Sequence, residues 1–477
     1  MQQTTIQVSS EIGTLRRLLI HSPDSGLGQV VPSKAQDWLF EDIVHLNTLR
    51  KEEYDYYLKL LFYFLDPERI QGRLLEIDAD SSDRAFYKPD HPLFHHSDKI
   101  IEIQVLLEDI LKDESTKNKM VAAVCAIERC TYHLQLMLLK KSAQELAKIM
   151  LSGSFDDEHM IFAPIPNLIF TRDLGIVINK HILLNKPAKK ARQRENLIMC
   201  YILFNHRLFE NYRHNLLEIP NPIQHFLRPG EEEDQKATLE GGDVMVVSPQ
   251  HVIIGCSERT SPAGAAEAMN LLFKHEVVEK VSIVKIPAKR DFMHIDTLFT
   301  QINRNTWVIL GSVSRKKTDR KEAIDYITSE KQKPETEILQ FTREQNGKPK
   351  RFDSIESLLN DISRNDLKCT KSTQFIYSGN QVFPYDAREQ WTDSCNLLAL
   401  KEGVVLGYDR NEKTIAAFEE KGFRIVKVKD LIESIESGQT SVENIENTLI
   451  LMPSAELSRA RGGFHCMSLP LLRDPIV

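Results

Sequence analysis

The chain has 477 residues, 42% of them hydrophobic and 27% charged, enough for a core and for a main domain with an insertion. Its net charge of −7 leaves no global basic footprint for nucleic acid, and no apolar run approaches the ~18 residues of a membrane span. Seven scattered cysteines, an odd number without a Cys-x-x-Cys, argue against a disulfide framework or structural zinc and for a reducing, cytoplasmic setting, and the first five residues carry no signal pattern.

Residues 11–22 read as a polar turn and a short apolar strand stopped by Pro23. Residues 34–65 have helical spacing, broken at Asp66-Pro67. Residues 66–97 are mixed, with a Pro-rich loop at 88–92, and 97–151 is helical again and rich in leucine. The expectation is a largely helical region over 34–155 that contains an inserted bundle, with 1–33 and 156–477 forming the main domain.

After Ser152 the texture changes to strand and turn. Four segments share one plan, in which a polar or acidic residue is followed by an apolar strand, a tight turn and a second apolar strand. Their heads are Asp173, Asp243, Asp296 and Asn396, and residues 10–20 read as a diverged fifth copy. Helical stretches at 263–273 and 413–421 lie between them, the first with Ser261 as N-cap and Pro262 at the first helical position. Such a repeated unit, unable to bury its faces alone, suggests a ring or propeller, with an open α/β sheet as the alternative. In a ring, Asp173, Glu240, Asp243, His294 and Asp296 would converge. Residues 314–360 interrupt the plan, are dense in charge, and read as an exposed insertion.

The chemistry-bearing stretch is 458–466, where Cys466 follows Gly462 and Gly463, next to His465 and close to Arg459 and Arg461. Cationic neighbours would favour the thiolate, the attacking form. Strand alternation from residue 293 would put His294 and Asp296 on one face. Converging carboxylates repel unless a cation lies among them. A metal held by His294, Asp296, Glu240 and Asp243 is one candidate, and a planar guanidinium is the other. Only the second explains the distant cysteine loop, because carboxylates would hold the nitrogens while sulfur attacks the central carbon.

The chain resembles the arginine deiminases of the guanidino-group-modifying, or pentein, superfamily. The matching stretches are 10–15 (SEIGTL), 38–43 (WLFEDI), 166–173 (PNLIFTRD), 191–195 (ARQRE), 240–243 (EGGD), 257–260 (SERT), 293–297 (MHIDT) and 457–467 (LSRARGGFHCM). The resemblance implies a five-bladed α/β propeller with an inserted α-helical domain. It implies hydrolysis of free L-arginine to citrulline and ammonia, without metal or organic cofactor, through a covalent amidino intermediate. Agmatine or methylated arginine as substrate, or an amidinotransferase, are the alternatives within that chemistry. Cys466 would be the nucleophile, His294 the acid and then the base, and Glu240 the partner of His294. Asp173 and Asp296 would grip the guanidinium. Asn167, Phe170, Arg192, Asp243, Arg259 and Arg461 would bind the rest of the substrate, with Arg194 competing with Arg192, while Arg172 reads as solvated surface. The expected partners are a small guanidino substrate and water, with neither nucleic acid nor membrane, and a homo-oligomer is left open.

Overall fold

The computed structural model describes residues 5–476 except 36, 41, 81–85, 90, 95, 157–158, 221–235, 312–335 and 345–347. Among the described residues the strands form five separate sheets built on one plan. An antiparallel pair comes first, and a third strand then runs parallel to the second member of the pair. Gly175–Ile178, His181–Leu184 and Leu216–Leu217 make one such unit. Val244–Ser248, His251–Cys256 and Lys280–Lys285 make the next, and Phe299–Asn303, Thr306–Ile309 and Gln374–Tyr377 another. Leu398–Lys401, Val404–Tyr408 and Thr448–Met452 follow, with Arg424–Lys427 added at the edge. The last unit is split between the two ends of the chain. Leu469–Arg473 pairs antiparallel with Leu15–Ile20, which runs parallel to Ile100–Glu102. The strand at 15–20 is therefore the second member of its pair, and its first member comes from the C-terminus. Gly175–Ile178, Val244–Ser248, His251–Cys256 and Val404–Tyr408 are buried along their whole length, which is why they read as continuous apolar runs and not as alternation.

The helical bundle is Ile103–Leu111, Glu114–Ile127, Tyr132–Leu139 and Ala143–Ser152, packed with Gln193–Asn205. Its boundaries follow from local chemistry. Asp113, Thr131 and Ser142 cap the three later helices, Ser142 in a reciprocal box with Glu145, and Gly153 ends the last one at φ 83°. Leu107, Met120, Val124, Leu146 and Ile202 fill its core. Among the described residues no helix is long and apolar enough to cross a membrane.

Two domain expectations need correction. Residues 34–155 are not one helical body. Regular helix begins only at Leu46–Thr48 and continues through Leu49–Tyr54 into Asp55–Leu65, whereas the described residues between 35 and 45 are irregular. That helix packs on the sheets beneath the cysteine loop, and Ile100–Glu102 is a strand of the first sheet. Apolar helical spacing does not reveal whether a helix packs on other helices or on a sheet, so the sequence merged two bodies. In the 314–360 stretch, residues 314–335 and 345–347 lie outside the described residues. The remainder is built into the fold. Glu337–Thr342 pairs antiparallel with Lys280–Lys285, and helix Ile355–Asp361 buries Ile355, Leu358 and Leu359. Among the described residues of this stretch, Glu344, Lys348, Lys350 and Arg351 are exposed.

Candidate active site

Short 3-10 turns, not strand ends, carry the acidic residues. Thr171–Leu174 holds Asp173, Gly241–Asp243 follows Glu240, and Ile295–Thr297 holds Asp296 with His294 just before it. The strands begin after these turns, so alternation does not relate His294 to Asp296. The turns instead converge side by side. Gly242 makes room for the imidazole, because a Cβ there would lie 2.5 Å from His294 Nδ1. Gly242 N also donates to Asp173 Oδ1 at 2.9 Å.

The C-terminal loop supplies the sulfur. Leu457–Ala460 forms a 3-10 turn, Arg461 takes a left-handed φ of 60°, and the chain then passes Gly462 and Gly463. A Cβ on Gly462 would meet the Phe170 ring at 2.2 Å, and one on Gly463 would meet Asn396 O at 2.4 Å. From below, Glu53 accepts from Glu456 N and Leu457 N, Tyr408 Oη donates to Gly462 O, and Tyr57 and Tyr408 pack on Phe464. The helical region at 46–65 thus fixes where the loop lies.

A narrow cavity of about 30 Å³ opens beside Cys466. It has room for a water or two, at about 10–15 Å³ each, so a larger ligand must displace lining side chains. Asn167, Phe170, Asp173, Arg192, Glu240, Arg259, His294 and Arg461 line it with Cys466, as do Leu39, Arg290, Met293, Thr297 and Ala460. Asp296 is buried immediately behind, its Oδ2 3.4 Å from Cys466 Sγ. Asp243 does not line the cavity, which corrects its expected place beside the substrate. Its Oδ1 accepts from Ile295 N at 3.0 Å and its Oδ2 from Ser257 Oγ at 2.6 Å, so it holds two turns together from outside. Burial pushes its carboxyl up to about 7.

Glu240 Oε2 takes hydrogen bonds from His294 Nε2 and from Arg192 Nη1, both at 3.1 Å. Arg192 Nη1 also donates to Asp173 Oδ2 at 2.6 Å, and its Nε donates to Glu195 at 2.9 Å. Burial opposes charge on His294, but Asp173, Glu240 and Asp243 outweigh it and raise the imidazole to about 10. Burial also opposes charge on Glu240, yet Arg192, His294 and Arg259 hold its carboxyl well below the usual range. Asp173, Glu240 and His294 each offer a ligand atom within 4.8 Å of the others, so they are the described residues placed to hold a metal. Two features oppose that use. Arg192 already bridges both carboxylates, and a protonated imidazole has no lone pair to give.

Arg194 is excluded from the site. It bonds Glu128, Met150 O and Ala163 O and stacks on Phe162, so it ties helix Gln193–Asn205 to the bundle and to the loop that follows it. Arg172 is not solvated surface. It is 2% exposed and its guanidinium faces Glu11 at 3.2 and 3.4 Å. Glu11 in turn meets His465 Nε2 at 3.3 Å, and His465 Nδ1 meets Asp296 Oδ2 at 2.9 Å. His465 therefore faces carboxylates and not the sulfur. The expected cationic activation of Cys466 is overturned, because burial pushes the thiol well above its usual value and Asp296, Asp173 and Asp393 push it further.

Sequence reasoning missed Asp393 and Trp391. Asp393 is 1% exposed, its carboxyl is pushed up to about 7 by burial, and Arg461 opposes that rise. The Arg461 guanidinium stacks 3.6 Å from the centroid of the Trp391 ring. Leu39, Met293 and Thr297 lie within matched stretches without a readable role. No local signal separates them from packing residues.

The sequence model of the arginine deiminase family matches residues 85–473. An arginine deiminase of Listeria welshimeri is 28% identical over 480 residues, covering 99% of this chain and 99% of that protein. One of Staphylococcus haemolyticus is 27% identical over 484 residues, covering 100% of each. Among solved structures, an amidinotransferase of saxitoxin biosynthesis from Microseira wollei aligns over 99% of this chain and 98% of its own, with 12% identity and a TM-score of 0.45. With a family match spanning most of its length and laid over this cluster of carboxylates, imidazole and thiol, the chain belongs to the arginine deiminase family.

Proposed function

We propose that this protein hydrolyses free L-arginine to L-citrulline and ammonia, with Cys466 as nucleophile. The single observation that carries the reading is a buried thiol, an imidazole and three carboxylates around one small cavity that also presents arginines. Such a lining suits a ligand that is cationic at one end and anionic at the other. Asp173 and Asp296 would pair with the guanidinium, and Arg192, Arg259 and Arg461 with the α-carboxylate. Asn167 would serve the amino-acid end and Phe170 the aliphatic stem. The five units sharing one plan support a ring of five blades, with the turns at Asp173, Gly241–Asp243 and Asp296 gathered at its axis. Seven free cysteines fit a reducing, cytoplasmic setting.

The electrostatics suggest an order of events. Without substrate, burial and neighbouring carboxylates keep the thiol protonated. A guanidinium placed among those carboxylates supplies the missing positive charge, and the thiol proton leaves to solvent. The thiolate attacks the guanidinium carbon, forming a C–S bond. His294 gives its proton to the departing nitrogen, the C–N bond breaks, and ammonia leaves a cationic amidino thioether on Cys466. Neutral His294 then takes a proton from water, and the hydroxide adds to the same carbon. The C–S bond breaks, the thiolate is restored, and the surplus proton on the product passes to ammonia. Glu240 orients His294 in both steps and favours its charged form before the first and after the second.

The test is citrulline formation from L-arginine by purified protein in the presence of a chelator, compared with Cys466→Ala. Activity is expected to survive the chelator and to vanish in the variant. Loss to chelator with restoration by added zinc or manganese would favour the metal reading of Asp173, Glu240 and His294. A preference for agmatine over arginine would remove the carboxylate role from the three arginines.

A further inference from the structure

We propose that Asn396 is a further catalytic residue, whose side-chain N–H stabilises the Cys466 thiolate by a direct hydrogen bond. The inference rests on Cys466 being the nucleophile and goes beyond it to what makes that sulfur ionisable.

The contact is between Asn396 Nδ2 and Cys466 Sγ, 3.1 Å apart, with both residues buried. The orientation of the amide is fixed by its other end. Cys466 N lies 3.0 Å from Asn396 Oδ1, and a backbone N–H can only donate. The atom facing it must be the oxygen, so the NH2 group faces the sulfur. That group also donates to Asp296 O at 3.3 Å, which uses its second hydrogen. The backbone joins in, with His465 N donating to Asn396 O at 3.5 Å. Asn396 thus holds the cysteine loop through three of its own polar atoms. Gly463 is the counterpart of this arrangement, since a Cβ there would lie 2.4 Å from Asn396 O and 2.8 Å from its Oδ1. Phe170 accounts for the first glycine of the pair, and Asn396 accounts for the second.

The chemical need is specific. Around the sulfur, Asp296, Asp173 and Asp393 all disfavour a negative charge, and burial disfavours it more. His465, the adjacent cation expected to help, is turned toward Asp296 and Glu11. Asn396 is the neighbour that opposes this rise. The repeat shows the same logic, because three hairpins are headed by Asp173, Asp243 and Asp296, whereas the one beside the sulfur is headed by a neutral amide. A carboxylate at 396 would have no hydrogen to offer and would add a fourth repulsion.

The experiment measures iodoacetamide alkylation of the Cys466 peptide by mass spectrometry as a function of pH, without substrate, in the full-length protein. In Asn396→Ala the apparent ionisation of Cys466 is expected to move up by about one to two pH units, the worth of a hydrogen bond to a charged group. kcat at neutral pH is expected to fall about 10- to 100-fold, with KM changed little and activity partly recovered at higher pH. Asn396→Asp keeps the Oδ1 acceptor for Cys466 N and so preserves the loop if the alanine variant is unstable. The same upward shift is expected in it. An alkylation profile unchanged in either folded variant would overturn the proposal and leave Asn396 a loop anchor. The outcome is independent of the proposed activity, because loss of the nucleophile assignment shows up as citrulline formation by Cys466→Ala and not in this profile.

Discussion

Among the described residues, several buried clusters combine a histidine, a carboxylate and a hydroxyl or thiol, and two of them differ in the state of their atoms. In one, His251 Nδ1 meets Asp366 Oδ2 at 2.7 Å and its Nε2 meets Ser282 Oγ at 2.8 Å, in the order of a hydrolase triad. Lys280 pairs with the same aspartate, and Gln340 reaches the same serine. His251 and Ser282 are 0% exposed, and the cavity at Cys466 does not reach them. Every polar side-chain atom of the histidine and aspartate there has a partner. In the other cluster, Glu240 Oε1, Asp296 Oδ1 and Arg192 Nη2 are buried without a hydrogen-bond partner among the described residues. Native proteins seldom leave such groups bare, because each costs about 1–3 kcal/mol when unmet. The triad is a strut, and the unsatisfied cluster is a site waiting for polar atoms from a ligand.

The sharpest break of this comparison is at the sulfur. Cys466→Ala is expected to lower citrulline formation by at least ~10³-fold, with the thermal midpoint held within a few degrees, as read by a colorimetric ureido assay and calorimetry. Glu240→Gln comes next. It removes the charge that binds His294 and Arg192, so kcat is expected to fall roughly 100-fold, with the loss greatest toward alkaline pH, where the imidazole then deprotonates. A kcat within twofold of the parent would deny Glu240 its part.

Stability against pH separates the clusters further. His294 is raised from 6.5 to about 10, so its stabilising contribution is full below pH 6.5 and is lost as pH climbs to about 10. Asp243, raised from 3.8 to about 7, acts in the same direction at lower pH, since its neutral form is the one the fold prefers. The unfolding free energy from denaturant titration is therefore expected to fall by about a few kcal/mol between pH 7 and 10, and His294→Asn should flatten that slope. The smallest effect on activity belongs to the strut. Ser282→Ala is expected to cost about 1–3 kcal/mol of stability while leaving kcat within twofold. A large loss of kcat in that variant would mean that the two clusters are coupled.

The hairpins were readable because each is a pair of apolar runs around a tight turn, and their heads named Asp173, Asp243 and Asp296 as a set. The end of the bundle was readable from the change of texture after Ser152, whereas the caps Asp113, Ser142 and Gly153 went unread although capping is a local matter. Arg172 and Arg194 were harder. Arg194 stands two residues from Arg192 and Arg172 stands next to Asp173, and nothing local shows that Arg172 pairs with Glu11, 161 residues away, and Arg194 with Glu128, 66 away. Asp243 looked equivalent to its neighbours and proved to be a brace, because a rotation within one turn decides which side of the chain a carboxylate faces.

By itself, the sequence determined the repeated hairpin, the capped helices, the Gly-Gly loop and the types of residue available for chemistry. Each depends on interactions within a few residues, so the order of the chain contains the answer. Only the tertiary structure decided which charges neighbour the sulfur. It turned His465 away, brought Asn396 across 70 residues to donate to it, and split the region at 34–155 between a bundle and a buttress under the loop. The physical reason is that burial energy is nonspecific about its partner, whereas the electrostatics of a buried thiol depend on which groups lie within a few ångströms of it.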